Sequence, residues 1–347
     1  IDHLSCSTLT VVTQGNTVNV LQDKWSMELI GMLAEGVRIG FWQKEIQTLE
    51  SHLIGDPTYR LLPVTNEDDA INRVRLLNRD LALNRHKSGV WQDYLQSENP
   101  NLQSLALKML SHRPPKGYPE LLLRYLRESP YYSVRMQALQ RILYSTGSYL
   151  AEALLLALDD SYELIRRNGA RFAGYHGDDR LIAPLVETVL FSDESQRVQY
   201  AAQGSLPMFS LEKIREEIGR QTAGSNLTKP DEVAGKMTAY FEGQAKRYDR
   251  SLAVMQDKGA DPKERISAIR FLRNYNNHRQ VPSLLTILKD QGDETEVRVV
   301  LAEALGWFRW SVQKETIVQA LKEVGKNRAT PQELRDEIEQ SLVRLRF

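Results

Sequence analysis

The chain is poor in the features that usually announce chemistry. It has one cysteine, Cys6, in 347 residues, which excludes an intrachain disulfide and any multi-cysteine zinc site. Neither charge is in excess: 45 Lys and Arg face 45 Asp and Glu. No long block is strongly polarised, so the basic surface of a nucleic-acid-binding protein is not indicated. Long apolar runs are missing as well. The longest stretch of that character, Trp25 to Trp42, contains Glu28, Glu35 and Arg38, and charges at such depths are costly in hydrocarbon.

Gly-x-x-x-x-Gly-Lys-Ser/Thr and Gly-x-Gly-x-x-Gly phosphate loops do not occur, and Gly36-Val37-Arg38-Ile39-Gly40 sits in a helical context with no strand before it. There is no Gly-x-Ser-x-Gly elbow, and Cys6 has no neighbouring base to activate it. The histidines, His3, His52, His86, His112, His176 and His278, lack the three- and four-residue spacings that put two ligands on one helix face. No metal, no cofactor and no catalytic constellation are expected. The compartment stays open between cytoplasmic and exported, since a secreted protein need not contain disulfides. The first residue is Ile1 and not Met, so an upstream segment is expected to have been removed, whether signal peptide, membrane anchor or further domain.

What the chain does have is a period. In Val134-Arg135-Met136-Gln137-Ala138-Leu139 a β-branched residue and an arginine are followed, after two variable positions, by small and apolar residues. The arrangement returns at Ile165-Arg166 with Gly169 and Ala170, and at Val297-Arg298 with Leu301 and Ala302. Weaker copies start at Leu102, Val198, Glu264-Arg265 and Leu334-Arg335. Successive starts lie 32, 31, 33, 66, 33 and 37 residues apart. The double gap predicts a degenerate repeat at about 225–257, carried by Val233, Met237, Tyr240 and Phe241.

Each repeat reads as two helices. Turn-and-cap clusters such as Asp159-Asp160-Ser161, Ser192-Asp193, Asp261-Pro262 and Gly292-Asp293 open the first helix. Breaks at Gly147-Ser148, Gly174-Tyr175-His176-Gly177 and Asn274 to Asn277 separate it from a Leu-rich second helix. One such pair cannot bury its own apolar stripe, whereas a stack of pairs builds a continuous core. Ala138, Gly169, Ala170, Ala201, Ala202, Ala268, Ala302 and Ala304 are sized for close approach of the first helices.

The pattern resembles the HEAT repeat family, in its short bacterial, phycobilisome-lyase-like variety, in "DDSYELIRRNGARFAGYHGDDRLIAPLVETVL" and "DETEVRVVLAEALGWF". The resemblance covers about residues 98–347. It implies an all-α, right-handed α-α superhelix, a solenoid of about seven to nine helix pairs spanning 66–347. Residues 1–65 lack the period and read as an irregular cap or arm: a short hairpin in "STLTVVTQGNTVNVL", then one or two helices between Trp25 and Leu53, interrupted near Gly36 to Gly40.

The family implies no single activity. The expected function is a non-catalytic scaffold holding a protein partner on the solenoid surface. The alternatives are a bilin lyase-like or DNA glycosylase-like protein on the same fold, or the regulatory domain of a larger anchored protein. Arg135, Arg166, Arg265 and Arg298 are expected to form a ladder of ion pairs between repeats, with Asp160, Asp261 and Asp293, the acids in the turns that precede their helices, as partners. Tyr131, Tyr132, Tyr162, Arg167, Arg309 and Trp310, of types enriched at binding hot spots, are the candidate contacts.

Overall fold

The computed structural model describes residues 11–16, 28–46, 51–62, 68–146 and 149–346. Ile1, His3, Cys6, Trp25 and the Gly147-Ser148 break lie outside the described residues. Among the described residues the protein is all-α apart from one two-stranded ribbon. It divides into two compact bodies, residues 1–141 and 142–347. The first body holds both the described part of the amino-terminal segment and the helices from Asp68 to Arg141.

In the N-terminal body, β1 (Val12–Asn16) pairs antiparallel with β2 (Ser51–Gly55), in a register running from Val12 opposite Gly55 to Asn16 opposite Ser51. Gly15 and Asn16, expected to break a local hairpin, lie inside β1, and its partner strand comes only after the two helices described between them. Those helices are α1 (Gly31–Ala34) and α2 (Ile39–Ile46), separated at Glu35 to Arg38 as the glycines suggested. Leu29, Met32, Val37 and Trp42 bury their side chains and anchor the segment. Asn78, on α3 (Asp68–Leu83), fixes the break between α1 and α2 by accepting the Arg38 N–H at 3.0 Å and donating to the Gly36 carbonyl at 3.0 Å.

Helix α4 (Ser88–Tyr94) then leads to α5 (Pro100–Leu110), whose start is set by Asn99 accepting the Asn101 N–H and by Pro100 in the first turn. Next come α6 (Tyr118–Glu128) and α7 (Tyr132–Arg141). Helix α7 packs on both α5 and α6, and α1 packs on α5. This is the repeat geometry: first helix against first helix of the next pair, with the second helix alongside.

The C-terminal body opens on a π-helical turn, Ile142–Thr146, followed by α8 (Leu150–Leu158), α9 (Glu163–His176), α10 (Ile182–Leu190), α11 (Gln196–Ser205) and α12 (Leu211–Ala223). The remainder is α13 (Pro230–Gln256), α14 (Pro262–Arg270), α15 (Val281–Lys289), α16 (Thr295–Leu305), α17 (Lys314–Lys326) and α18 (Gln332–Arg344). Helix α9 packs on α11, α14 on α16 and α16 on α18, while α10 packs on α12 and α15 on α17.

The degenerate repeat is a single uninterrupted helix of 27 residues, α13, packed between α12 and α14. Nothing after Pro230 stops it. Gly235 and Gly243 stand free of neighbours within 4 Å of where a Cβ would sit, and an isolated glycine weakens a helix by only about 1 kcal/mol. The core of the last repeats joins Ile266, Ile269, Leu284, Leu288, Val297, Leu301, Ala302, Ile317, Leu321 and Ile338. Gly169 does what its size suggested: a Cβ there would press on Ala157 of α8 at 3.0 Å.

Candidate functional site

The ladder arginines turn inward and bind the ends of helices. Arg265 is 1% exposed and forks onto Asp293, Nη1 to Oδ1 at 2.7 Å and Nη2 to Oδ2 at 2.7 Å, while Nε donates to the Met255 carbonyl at 3.0 Å. Arg166 makes the same fork on Asp193, at 2.7 and 3.0 Å, and reaches the Asp160 carbonyl at 2.9 Å. Arg135 donates to the Ser129 carbonyl at 3.0 Å and Arg298 to the Leu288 carbonyl at 3.0 Å. The hydrogen bonds from Arg166 and Arg265 hold the Asp193 and Asp293 carboxyls below their ordinary range, against the opposing effect of burial.

The register differs from the expected one. Arg166 and Arg265 take their acid from the turn that opens the following repeat, not from the turn before their own helix, because each first helix lies against the next. Asp261 instead caps α14 through the Lys263 N–H at 2.8 Å, and the Asp160 carboxylate accepts the Tyr162 N–H at 2.8 Å. Asp193, read from the sequence only as a cap, is a rung. The position corresponding to an acid for Arg298 is Lys326, and burial lowers the Arg298 pKa.

Of the aromatic candidates, Tyr131 and Tyr132 are 39% and 55% exposed. Tyr131 lines an open groove of about 530 Å³ with Pro130, Tyr125, Arg124, Glu98 and Glu128. The Arg124 guanidinium stands over the Tyr125 ring at 5.7 Å, and the Tyr125 hydroxyl donates to the Leu95 carbonyl at 3.3 Å. Tyr162 is half-buried at the start of α9, and Arg167 lies 3.8 Å from Glu163 one turn away.

Arg309 and Trp310 belong to a different kind of structure. Arg309 lies over Trp310 at 4.2 Å and over Tyr144 at 5.1 Å, and Trp310 meets Phe172 edge-on at 4.9 Å and stacks with Tyr175 at 5.8 Å. The Trp310 indole N–H donates to the Leu143 carbonyl at 2.8 Å, and its own carbonyl accepts from His176 Nδ1 at 2.7 Å. His278 Nε2 donates to the Gly174 carbonyl at 2.8 Å, which leaves Nδ1 to accept from the Ser311 hydroxyl at 2.9 Å. Residues from four repeats, in two adjacent pairs far apart in the chain, thus meet at the end of α9. Gly177 allows it: its φ is +75°, and a Cβ there would run into the His278 ring. Burial pushes the His278 pKa down to about 4. Trp310 is therefore a packing anchor, and the exposed indole of its run is Trp307, held by Glu303 at 2.8 Å.

A charged interior cluster lies in the N-terminal body, and no motif marked it. Glu28 Oε1 accepts from Lys108 at 3.1 Å, Gln137 at 3.2 Å and Arg141 at 3.3 Å. Glu45 binds Arg85 at 2.9 Å and His112 at 3.0 Å. Burial pushes the Glu45 carboxyl up, but the hydrogen bond from His112 and the fields of Arg85, His112 and Lys108 outweigh it and leave the pKa lowered. Burial and the neighbouring Arg141 together lower the Lys108 ammonium. Clusters of this kind, with mutually perturbed charges, concentrate at functional sites. The carboxylates come from the irregular amino-terminal segment and the cations from Arg85, α5 and α7, so no local pattern joins them. The one available signal was a charge, Glu28, in the apolar run Trp25 to Trp42.

No protein-family model matches the chain, and no curated protein matches it. Among solved structures, human deoxyhypusine hydroxylase in complex with glycerol is similar at 17% identity over 68% of this chain and 98% of that one, with a TM-score of 0.27. The E. coli protein YibA is similar at 15% identity over 83% of this chain and 99% of that one, with a TM-score of 0.26. Likeness at this level bears on neither activity nor ligand.

Proposed function

We propose that this chain is a non-catalytic scaffold that holds a protein partner on the surface around Tyr131. The observation that carries the reading is the open groove of about 530 Å³ lined by Tyr125, Pro130 and Tyr131, with Arg124, Glu98 and Glu128 among its walls. Tyr and Arg are the side chains that dominate binding energy when a partner excludes water around them. Rigid rings on helix ends lose little conformational entropy when they are covered. The two glutamates suit a partner segment that brings a basic side chain.

The test is affinity capture from the native source with the whole chain as bait and the Tyr131→Ala/Tyr132→Ala variant as control. A saturable protein partner that the variant loses supports the scaffold reading and locates its surface. Copurification of a small chromophore or of nucleic acid, with no protein, moves a ligand-handling role to first place. Arg309→Ala/Trp310→Ala is unsuitable as a contact variant, because both side chains belong to the aromatic cluster at the end of α9.

A further inference from the structure

Among the described residues, the charged interior of the N-terminal body holds one more cation than carboxylate. Arg85, Lys108 and Arg141 are charged against Glu28 and Glu45, an excess of one positive charge before His112 is counted. Two guanidinium groups and an ammonium carry about thirteen N–H donors, whereas two carboxylates offer about eight acceptor sites. Among the described residues, Arg85 Nε and Arg141 Nε are buried with no hydrogen-bond partner, as is the side-chain carbonyl of Gln137. Arg141 and Gln137 are more than nine-tenths buried.

A buried ion pair built only for stability is a poor bargain, because its desolvation roughly cancels its attraction. An uncompensated excess of one cation is worse. The crowding shows in Lys108, whose ammonium is disfavoured by burial and by Arg141 beside it. The cluster is also reachable: the Arg85 and His112 side chains are 21% and 25% exposed.

We infer that Arg85, Lys108 and Arg141 form a binding site for a small oxyanion, a carboxylate or phosphate group, with Glu28 and Glu45 holding the cations in place. An anion entering from the Arg85 and His112 edge would bring the cluster to neutrality and take up donors that the two glutamates leave over. Guanidinium forks suit both kinds of oxyanion, so the shared chemistry is a planar or tetrahedral group of two or more oxygens bearing negative charge. This reading does not depend on the groove at Tyr131.

The experiment is isothermal titration of the whole chain with inorganic phosphate, sulfate and acetate at constant ionic strength, alongside Arg85→Gln and Lys108→Gln. Saturable one-to-one binding of at least one anion is expected, weakened at least about ten-fold in each variant. Phosphate and sulfate bound in preference to acetate would identify a phosphate-type ligand, and the reverse a carboxylate. The proposal is overturned if the folded wild-type chain binds none of the three saturably, or if both variants bind as the wild type does. Arg85 stands at the rim, so Arg85→Gln keeps the test valid should Lys108→Gln fail to fold, with circular dichroism as the check.

Discussion

Asp293→Asn isolates the charge of one ladder rung while preserving its shape. The amide has the volume of the carboxylate and keeps an oxygen for the Glu294 N–H, which Asp293 accepts at 2.7 Å. What it loses is the negative partner of Arg265, in a pair whose side chains are 1% and 3% exposed. The guanidinium is then left in the interior with the Met255 carbonyl and one amide oxygen. Breaking a buried pair from one side costs about 3 to 5 kcal/mol, most of it the uncompensated charge. The control is Glu323→Gln, which removes the partner of Lys289 in a pair whose side chains are 43% and 66% exposed, where the loss should be about 0 to 1 kcal/mol. Urea unfolding followed by circular dichroism reads both, provided the slope is unchanged. If Asp293→Asn costs no more than Glu323→Gln, the rung is not an electrostatic tie and the argument is wrong. The pH dependence supplies a second reading. The Asp293 pKa is lowered from its ordinary 3.8 in the folded chain, so its contribution is present above that value and is lost as pH falls through the folded pKa. Asp293→Asn should flatten the acid limb there.

Three further outcomes follow from the packing. Ala302 is wholly buried and its carbonyl accepts from the Ser341 hydroxyl at 2.9 Å across α16 and α18; Ala302→Trp should destabilise by about 1 to 3 kcal/mol through overpacking, read as a lower urea midpoint. Gly177→Ala should cost about 1 to 3 kcal/mol, because a positive φ and the His278 ring both oppose a Cβ; thermal unfolding checks it, with Gly219→Ala as an unobstructed comparison. His278 falls from its ordinary 6.5 to about 4 on burial, so stability present above pH 6.5 should decline as pH falls toward about 4, by on the order of 3 kcal/mol in total. That slope should vanish in His278→Gln, as measured by urea midpoints at stepped pH.

Helix pairs, their caps and the phase of the arginine pattern are local properties, and they were readable in the chain. Val297, Arg298 and Ala302 recur in the frame of Ile165, Arg166 and Ala170 because the same helix face meets the same neighbour. The acids of Arg166 and Arg265 were misplaced by one repeat, since Asp160, Asp193, Asp261 and Asp293 recur with the same period and periodicity alone cannot say which neighbour a side chain reaches. The single helix α13 was visible as a loss of pattern, but a missing break looks the same in a sequence as a weak repeat. Trp310 was read as a candidate contact because its anchors, Leu143 and Phe172, stand far away in the chain. The cluster at Glu28, Glu45, Lys108 and Arg141 had no spacing to find, being assembled from an irregular segment and the faces of separate helices.

The bonds that carry His278 to Gly174 and Trp310 to Leu143 change how the C-terminal body can fail. In an open stack each repeat leans only on its neighbours, so losing an end leaves the middle standing. Here the turn at the end of α9 leans on residues contributed several repeats later. A cut anywhere before Ser311 would remove support from a place the protease never touched, and the near end could not finish folding until the far end had been made. Those contacts also span long stretches of chain, which slows folding relative to a strictly local array. Damage to this body is shared out along it rather than confined to the repeat where it occurs.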